Sequence, residues 1–560
     1  TAQLSALVRD GFRVRLVDCA PAEHPNLAVS ALKPTEGIQA AGVPILMTVK
    51  VTNFGTSSAQ NVVLHPELVG VETGSTQTFP TVAIPEIPAG ETVSASFSVT
   101  CPVAGNFAVR VSLSPDSISD DNQVLATLTV PDFESVLIID DSLDGSISRF
   151  LRTALAPGDR VQTGVVPRVE KARFLSTNDL STFKSIYLLD TATLEPQAVT
   201  AIEEFLKKGG GVCIFTGPHT DPLMAQKWFR EGVGFFPVVL DQTEELPPYY
   251  ASPDIRVAPH PIFRVFSGES ASLFNTIHVE RYYTLDDASL ESIIPLQDET
   301  VLNQVARQKK RENAKDSRNT EGSEPEDGDV HVIAALRNNA PLVLEKRFGR
   351  GKVVIFLTSA DREWTDWPVG NPARPNPYAQ GSYVVMILQL QAYLTQKTAD
   401  SWTAGEVLRT VFPTERFEGT SAFLKPDGTL WERVQAVART DGTWEAVSSA
   451  TTELGIFSAE LKENSGITEK RIFTVNPDFL EGDVQKITRE ELAQGMGKIP
   501  FDWVDAADFR FAESDEARSI LSDWILALIL IWIVLEMLLA ASASYHLSGI
   551  TRPIKKGGEK

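Results

Sequence analysis

The spacing of apolar residues changes character several times along the chain. Leu4, Ala6, Leu7 and Val8 share a helical face that Gly11 ends, and Phe12-Arg-Val-Arg-Leu-Val17 then alternates as a strand. Helix, glycine, strand is the closing unit of an α/β domain, so residues 1–25 read as the end of a domain whose other strands lie upstream; a short arm packed on the next domain is the alternative. From Asn26 to Pro131 short alternating runs recur, among them Ile45–Val51, Asn61–His65, Val93–Val99, Phe107–Leu113 and Val124–Val130. Turn residues such as Asn53-Phe-Gly55 and Asp120-Asp-Asn122 separate them. About seven strands in about 105 residues predict an immunoglobulin-like β-sandwich over 26–131.

Residues 132–400 behave differently. Ser135-Val-Leu-Ile-Ile-Asp140, Ser185-Ile-Tyr-Leu-Leu-Asp190 and Val212-Cys-Ile-Phe-Thr216 are continuous apolar runs, and Glu195–Lys208 between the last two is an amphipathic helix stopped by Gly209-Gly-Gly211. Buried strands alternating with helices predict a mostly parallel sheet covered on both faces, a flavodoxin-like α/β domain. Gly349-Arg-Gly351 precedes the strand Lys352–Thr358, and a long helix, Tyr383–Leu394, closes the domain. Arg307–Asp329 has no periodicity and almost no apolar residues, which predicts a disordered insertion. Strands return over 405–476 as a second small β-sandwich, and 477–519 reads as a linker with a helix at Thr488–Gln494.

Near the C-terminus, Trp524–Ala541 is one apolar run. Its eighteen residues cover about 27 Å as a helix, and the continuation to Tyr545 brings the span past the ~30 Å hydrocarbon core. Glu513, Asp515, Glu516 and Asp523 precede it; Arg552, Lys555, Lys556 and Lys560 follow. The positive side faces the cytoplasm, so 520–545 is expected to span a membrane, with the basic tail 546–560 inside and everything before it outside. Such an ectodomain needs an export signal or an earlier membrane segment, and none is read here, so the chain is expected to be the C-terminal portion of a longer protein.

The chain has 560 residues, enough for about three to five domains, and a net charge of −22 with 51 basic residues. That balance excludes a nucleic-acid binder, which needs a basic face against phosphates. Cys19, Cys101 and Cys213 are too far apart in sequence for a disulfide framework or a CxxC metal site, and all three read as small buried hydrophobes.

Candidate chemistry gathers at strand ends, where open α/β sheets bind ligands. These offer Asp140, Asp141, Asp190, Thr216, Gly217, Ser359 and Asp361 as a candidate ligand crevice. Acids there also cap the following helix, and capping is preferred to catalysis. Asp140-Asp-Ser142-Leu-Asp144-Gly145 opens like a calcium loop, but position twelve is Leu151 where a bidentate Glu is needed. Cys213 has Gly211 before it as a nucleophile elbow requires, yet Phe215 breaks the pattern and the residue lies mid-strand. His219 follows closely without an evident orienting acid. His260, between two prolines, reads as a rigid turn, and no second His stands at metal-ligand spacing. No catalytic residue, metal or cofactor is assigned. Glu536, the one charge in the apolar run, is either a contact with another membrane helix or a protonated side chain tolerated by its surroundings.

Asn26-Leu-Ala-Val-Ser30, Val49–Gly55, Ile87-Pro-Ala-Gly90 and Asp120-Asp-Asn122 together resemble a CARDB domain, an adhesion-type module of bacterial surface proteins. Residues 132–400 resemble a class I glutamine-amidotransferase-like domain. Gly349–Asp361 with Trp364, and Phe473-Thr-Val-Asn-Pro-Asp478 ahead of the apolar run, resemble large membrane proteins of the BatA (aerotolerance-regulator) type. The resemblance implies that 1–25 closes a von Willebrand factor A domain. It further implies a non-catalytic scaffold of the cell envelope, acting in envelope integrity or stress tolerance. Its partners would be envelope or membrane proteins, among them other Bat-type proteins and a MoxR-type ATPase system. The amidotransferase Cys-His-Glu set has no match here, so no catalytic residue carries over. The rival expectation is a hydrolase or transferase using the strand-end acids Asp140, Asp190 and Asp361.

Overall fold

A computed structural model describes residues 2–545 except 10, 13, 20–24, 36, 159–160, 250–251, 267–272, 275, 297–327, 371–378, 397–400, 440–441, 484–487, 498, 507 and 510–515. The expected insertion 307–329 therefore lies outside the described residues but for Gly328 and Asp329, as does the tail 546–560. The chain contains several β-sheets with helices and one long apolar helix, arranged in two compact units: residues 1–24 with 485–560, and residues 25–484.

In the first unit, helix Ala2–Arg9 leads through Gly11 to strand Val14–Asp18. That strand pairs in parallel with Phe501–Asp505, Val14 opposite Phe501. The stretch expected to be a linker thus carries a strand, preceded by helix Arg489–Met496, whose start Thr488 and Glu491 close with a reciprocal capping box. Cys19 is exposed, against the expectation of a buried hydrophobe, because it lies just past Asp18, the last paired residue. Helix Glu516–Tyr545 holds the apolar span Ser522–Ser542, whose 21 residues cover about 32 Å and are long and apolar enough to cross a membrane. Its side chains from Trp524 to Leu539 are exposed, including Glu536.

The larger unit begins with two facing sheets. Leu27–Pro34, Pro44–Asn53 and Thr92–Thr100 form one; Ala59–Gly70 with Gly105–Ser112, Gln123–Val130, Val82–Ile87 and Thr76–Thr78 forms the other. Alternate residues such as Ile45, Met47, Val49 and Val51 point into the shared core, which also holds Cys101. A second pair of sheets, later in the sequence, closes on Leu408, Phe412, Phe417, Phe423 and Phe457.

The two pairs are joined by Asn476. Its amide mimics a strand residue, accepting from Leu125 N at 2.8 Å and donating to Leu125 O at 2.9 Å. Asn476→Ala removes both bonds from a half-buried site, so it is expected to cost about 1–2 kcal/mol in a urea unfolding curve. A change within error would show that water replaces the amide there.

Between them in sequence lies the eight-stranded sheet that positions the candidate site. In chain order its strands are β1 (Glu134–Asp140), β2 (Val165–Glu170), β3 (Ser185–Leu189), β4 (Gly211–Phe215), β5 (Ile255–Val257), β6 (Val330–Leu336), β7 (Pro341–Phe348) and β8 (Gly351–Phe356). The spatial order is β2-β1-β3-β4-β8-β7-β6-β5. The first five are parallel, and β7, β6 and β5 continue antiparallel. Gly349 turns β7 into β8 as a hairpin. Burial on both faces explains the unbroken apolar runs: in β1, Val136 and Ile138 enter one core, Leu137 and Ile139 the other.

Helices cover both faces. On one lie α1 (Ser148–Leu155) and the 17-residue α4 (Ala379–Thr395); on the other lie α2 (Pro196–Lys207) and α3 (Pro222–Phe229). Gln391 of α4 is fully buried and ties the helix to the sheet: it accepts from Ser185 Oγ at 2.7 Å and Tyr187 Oη at 3.0 Å, and donates to Glu134 at 3.0 Å. Burial pushes the Glu134 carboxyl above its usual range, against the bonds from Gln391 and Thr395.

Candidate functional site

The chain leaves β1 for a helix on one face and β3 for a helix on the other, because Leu151 and Leu155 of α1 join one core and Ile202 and Phe205 of α2 the opposite one. Adjacent strands that diverge in this way open a crevice beyond their carboxyl ends. The residues there are Asp140, which ends β1, and Asp190, which follows β3.

Asp140 is wholly buried and bonded on both oxygens. Oδ1 accepts from Ser142 N at 2.9 Å and Ser142 Oγ at 2.5 Å; Oδ2 accepts from Ser148 N at 2.8 Å, at the start of α1. Burial raises its pKa, but the Ser142 and Ser148 bonds outweigh it and hold the carboxyl below its usual range. Asp141 accepts from Ala172 N at 2.9 Å, closing the turn after β2. Lys171 donates to the carbonyls of Asp140 at 2.9 Å and of Ser142. Both acids are thus occupied in shaping loops.

Asp190 differs. Its backbone is left-handed, with φ +45°, which turns the carboxylate toward the loop after β4. Oδ1 accepts from His219 N at 2.9 Å, Thr220 N at 2.8 Å and Thr220 Oγ1 at 3.0 Å. Oδ2 meets His219 Nδ1 at 2.6 Å. Gly217 is required beside it, since a Cβ there would stand 2.5 Å from the Asp190 carboxyl carbon. Thr216 is buried and donates to Phe356 O on β8 at 3.2 Å. His219 therefore has an orienting acid, contrary to the sequence expectation. The two residues stand far apart in sequence but at the ends of neighbouring strands.

The His219 side chain is 72% exposed while Asp190 is buried beneath it. The hydrogen bond and charge of Asp190 raise the His219 pKa, helped by the charges of Glu363 and Asp361. Tyr283, which donates to Thr220 O at 2.7 Å, braces the loop; burial pushes its phenol up to about 12. Ser359 accepts from Trp364 N at 3.1 Å and Asp361 from Glu363 N at 3.0 Å, so both shape the loop after β8.

Of the seven expected crevice residues, the structure brings Asp190 and Gly217 into contact and sends the charge of Asp361 toward the same point. Asp140, Asp141 and Ser359 are held in their own loops. The sequence reading missed His219, Thr220 and Tyr283 as a group. The signal was Gly217-Pro-His219 placed at a strand end adjacent to that of Asp190.

Three other titratable groups associated with the central sheet are internal. Cys213 lies mid-strand in β4, fully buried, and burial pushes its thiol far above the usual range, so it is no nucleophile. His260 is more than a turn residue: buried, it meets Glu345 at 3.1 Å, and Glu345 also accepts from Tyr393 Oη at 2.6 Å. Asp254 accepts from Arg337 Nε at 2.9 Å and faces His278 Nδ1 at 3.3 Å. Among the described residues no three His, Cys, Asp or Glu side chains gather as a metal-binding group.

No sequence-family profile matches the chain, and no curated protein matches it in sequence. Solved structures resemble parts of it. A CARDB domain from Pyrococcus furiosus, in complex with di-metal ions, is 14% identical over 20% of this chain and 98% of its own, with a TM-score of 0.17. A cytoplasmic protein of Salmonella typhimurium is 13% identical over 47% of this chain and all (100%) of its own, at 0.29. A ThuA-like protein from Bacteroides uniformis is 11% identical over 46% and 89%, at 0.26. Likeness at this level transfers no activity.

Proposed function

We propose that this chain is a membrane-anchored binding protein of the bacterial cell envelope, acting as a scaffold rather than an enzyme. In this reading the helix Glu516–Tyr545 is the anchor, the basic tail is cytoplasmic and the remaining chain is an ectodomain. The first sandwich is a CARDB-type, immunoglobulin-like module, and the central sheet is a flavodoxin-like, amidotransferase-like domain without its catalytic cysteine. Residues 1–25 are the close of a von Willebrand factor A domain in a BatA-type protein.

The observation that carries this is the fate of the strand-end carboxylates. Asp140 and Asp141 are committed to backbone N–H groups of their loops, and Cys213 is sealed in the core. A hydrolytic site needs an accessible nucleophile or an acid free to move a proton, and these groups are neither. The partners are envelope proteins, among them other Bat-type proteins and a MoxR-type ATPase. Affinity capture of the full-length protein from solubilised membranes is expected to recover such an ATPase or a Bat-type protein in stoichiometric amount. Recovery of neither would sink this reading.

A second reading rests on His219. An exposed imidazole oriented by a buried carboxylate is the pairing used in general acid–base catalysis. It favours a hydrolase or transferase in which His219 and Asp190, rather than Asp140, carry the chemistry.

A further inference from the structure

Asn26 is the second residue of the larger unit, and its side chain is completely buried. Its amide nitrogen donates to Asp121 Oδ2 at 2.7 Å and to Gly482 O at 2.9 Å. Both partners are acceptors, so rotating the amide would set oxygen against oxygen, and its orientation is fixed. The amide oxygen that results has no donor, and neither does the second oxygen of the Asp121 carboxylate. Asp121 is 3% exposed. Asn122 repeats the pattern: its nitrogen donates to Asp116 Oδ1 at 2.8 Å and Ile118 O at 2.9 Å, and its buried oxygen lacks a donor.

The charges acting on Asp121 are those of Asp116 and Asp120, both of its own sign. Asp116 is itself committed, accepting from Leu27 N at 2.7 Å and Ile118 N at 3.2 Å. Gly482 packs tightly against the same group. A Cβ at Gly482 would stand 2.3 Å from Asp121 Oδ2 and 2.9 Å from the Asn26 nitrogen. Here, then, is a buried carboxylate beside unpartnered amide oxygens in a field of like charge. Such an arrangement is costly unless something positive or proton-donating completes it.

We propose that Asn26 and Asp121, with Asn122 and the Gly482 carbonyl beside them, form a site for a hard divalent cation of the calcium kind. It would clasp the first sandwich to the segment that leaves the last strand of the second. An all-oxygen set built from one carboxylate, side-chain amides and a carbonyl suits calcium, which accepts such ligands in irregular geometry; magnesium demands a near-octahedral set and keeps its waters. The rival occupant is a buried water donating to the same oxygens.

The test uses the full chain in detergent, stripped of metal with chelator. Calcium titrated to the order of 1 mM, the range of extracellular modules, is expected to bind with measurable heat and to raise the thermal midpoint by several degrees. Magnesium should raise it less. Asp121→Asn is expected to abolish the calcium response. Without metal that variant should be at least as stable as the wild type, because an amide at 121 can accept from Asn26 and donate back to its free oxygen. No calcium heat on the wild type, an equal rise with magnesium, or a calcium response that survives in Asp121→Asn overturns the site and leaves a water there. Should the variant fail to fold, the wild-type titration decides alone.

Discussion

Gln391→Leu is expected to destabilise the chain by about 3 kcal/mol or more, although leucine nearly matches glutamine in volume. The loss is polar. Gln391 is wholly buried, and without its amide the hydroxyls of Ser185 and Tyr187 lose an acceptor and Glu134 loses a donor. Each group left unmet costs about 1–3 kcal/mol, and all three lie under α4, where water does not replace the amide. The deficit should also depend on pH. Burial already raises the folded pKa of Glu134, and loss of the Gln391 bond raises it further. An acid with a raised folded pKa is best tolerated below its unfolded value, and stability falls as pH rises through the folded value. The variant should therefore lie closer to wild type near pH 5 than near pH 8. Urea unfolding followed by circular dichroism at the two pH values measures both effects. A deficit under about 1 kcal/mol, or one that grows on acidification, would count against the network.

Asp190→Ala is expected to cost a similar amount, for different reasons. It strands the His219 and Thr220 amide protons and the Thr220 hydroxyl, and it leaves an alanine at φ +45°, where an L residue with no local hydrogen bond is disfavoured by about 1–2 kcal/mol. Asp190→Asn keeps the acceptor and tolerates that backbone, so it separates folding from electrostatics. In that variant the His219 pKa should fall, since only the charges of Glu363 and Asp361 remain to raise it. The direction of linkage follows. In the wild type the pair's contribution is complete below the unfolded histidine value and is lost as pH rises through the raised folded value. The stability gap between wild type and Asp190→Asn should therefore be widest in acid and close above neutrality. Titration of the His219 ring protons by NMR in both proteins checks the shift. An unchanged His219 pKa in Asp190→Asn would show that the carboxylate does not control the imidazole.

The eight-stranded sheet was largely legible because its parallel strands are buried on both faces. Val136–Ile139, Ile186–Leu189 and Val212–Phe215 could only be apolar throughout, and that is what marks them. The long apolar helix declared itself in the same way. Pairings between distant segments were not legible. Nothing in Val14–Asp18 names Phe501–Asp505 as its neighbour, so a paired strand passed for part of a linker. Asn476 passed for no more than the last residue of the second sandwich, since a side chain that imitates a ladder carries no periodic signal. The His219–Asp190 pair was hidden for a related reason: the sequence placed each residue at a strand end, but only the order β3-β4 puts the two ends side by side.

The bond from Asn26 to Gly482 has a mechanical consequence. The larger unit runs from Pro25 to Val484 in sequence, and Asn26 and Gly482, close to its two ends, are fastened to one another across 2.9 Å. Tension carried along the chain from residue 24 to residue 485 would load that bond, and the packing around Gly482, first. Both sandwiches and the whole eight-stranded sheet would stay out of the line of pull, as a weight hung from a closed ring leaves its cord slack.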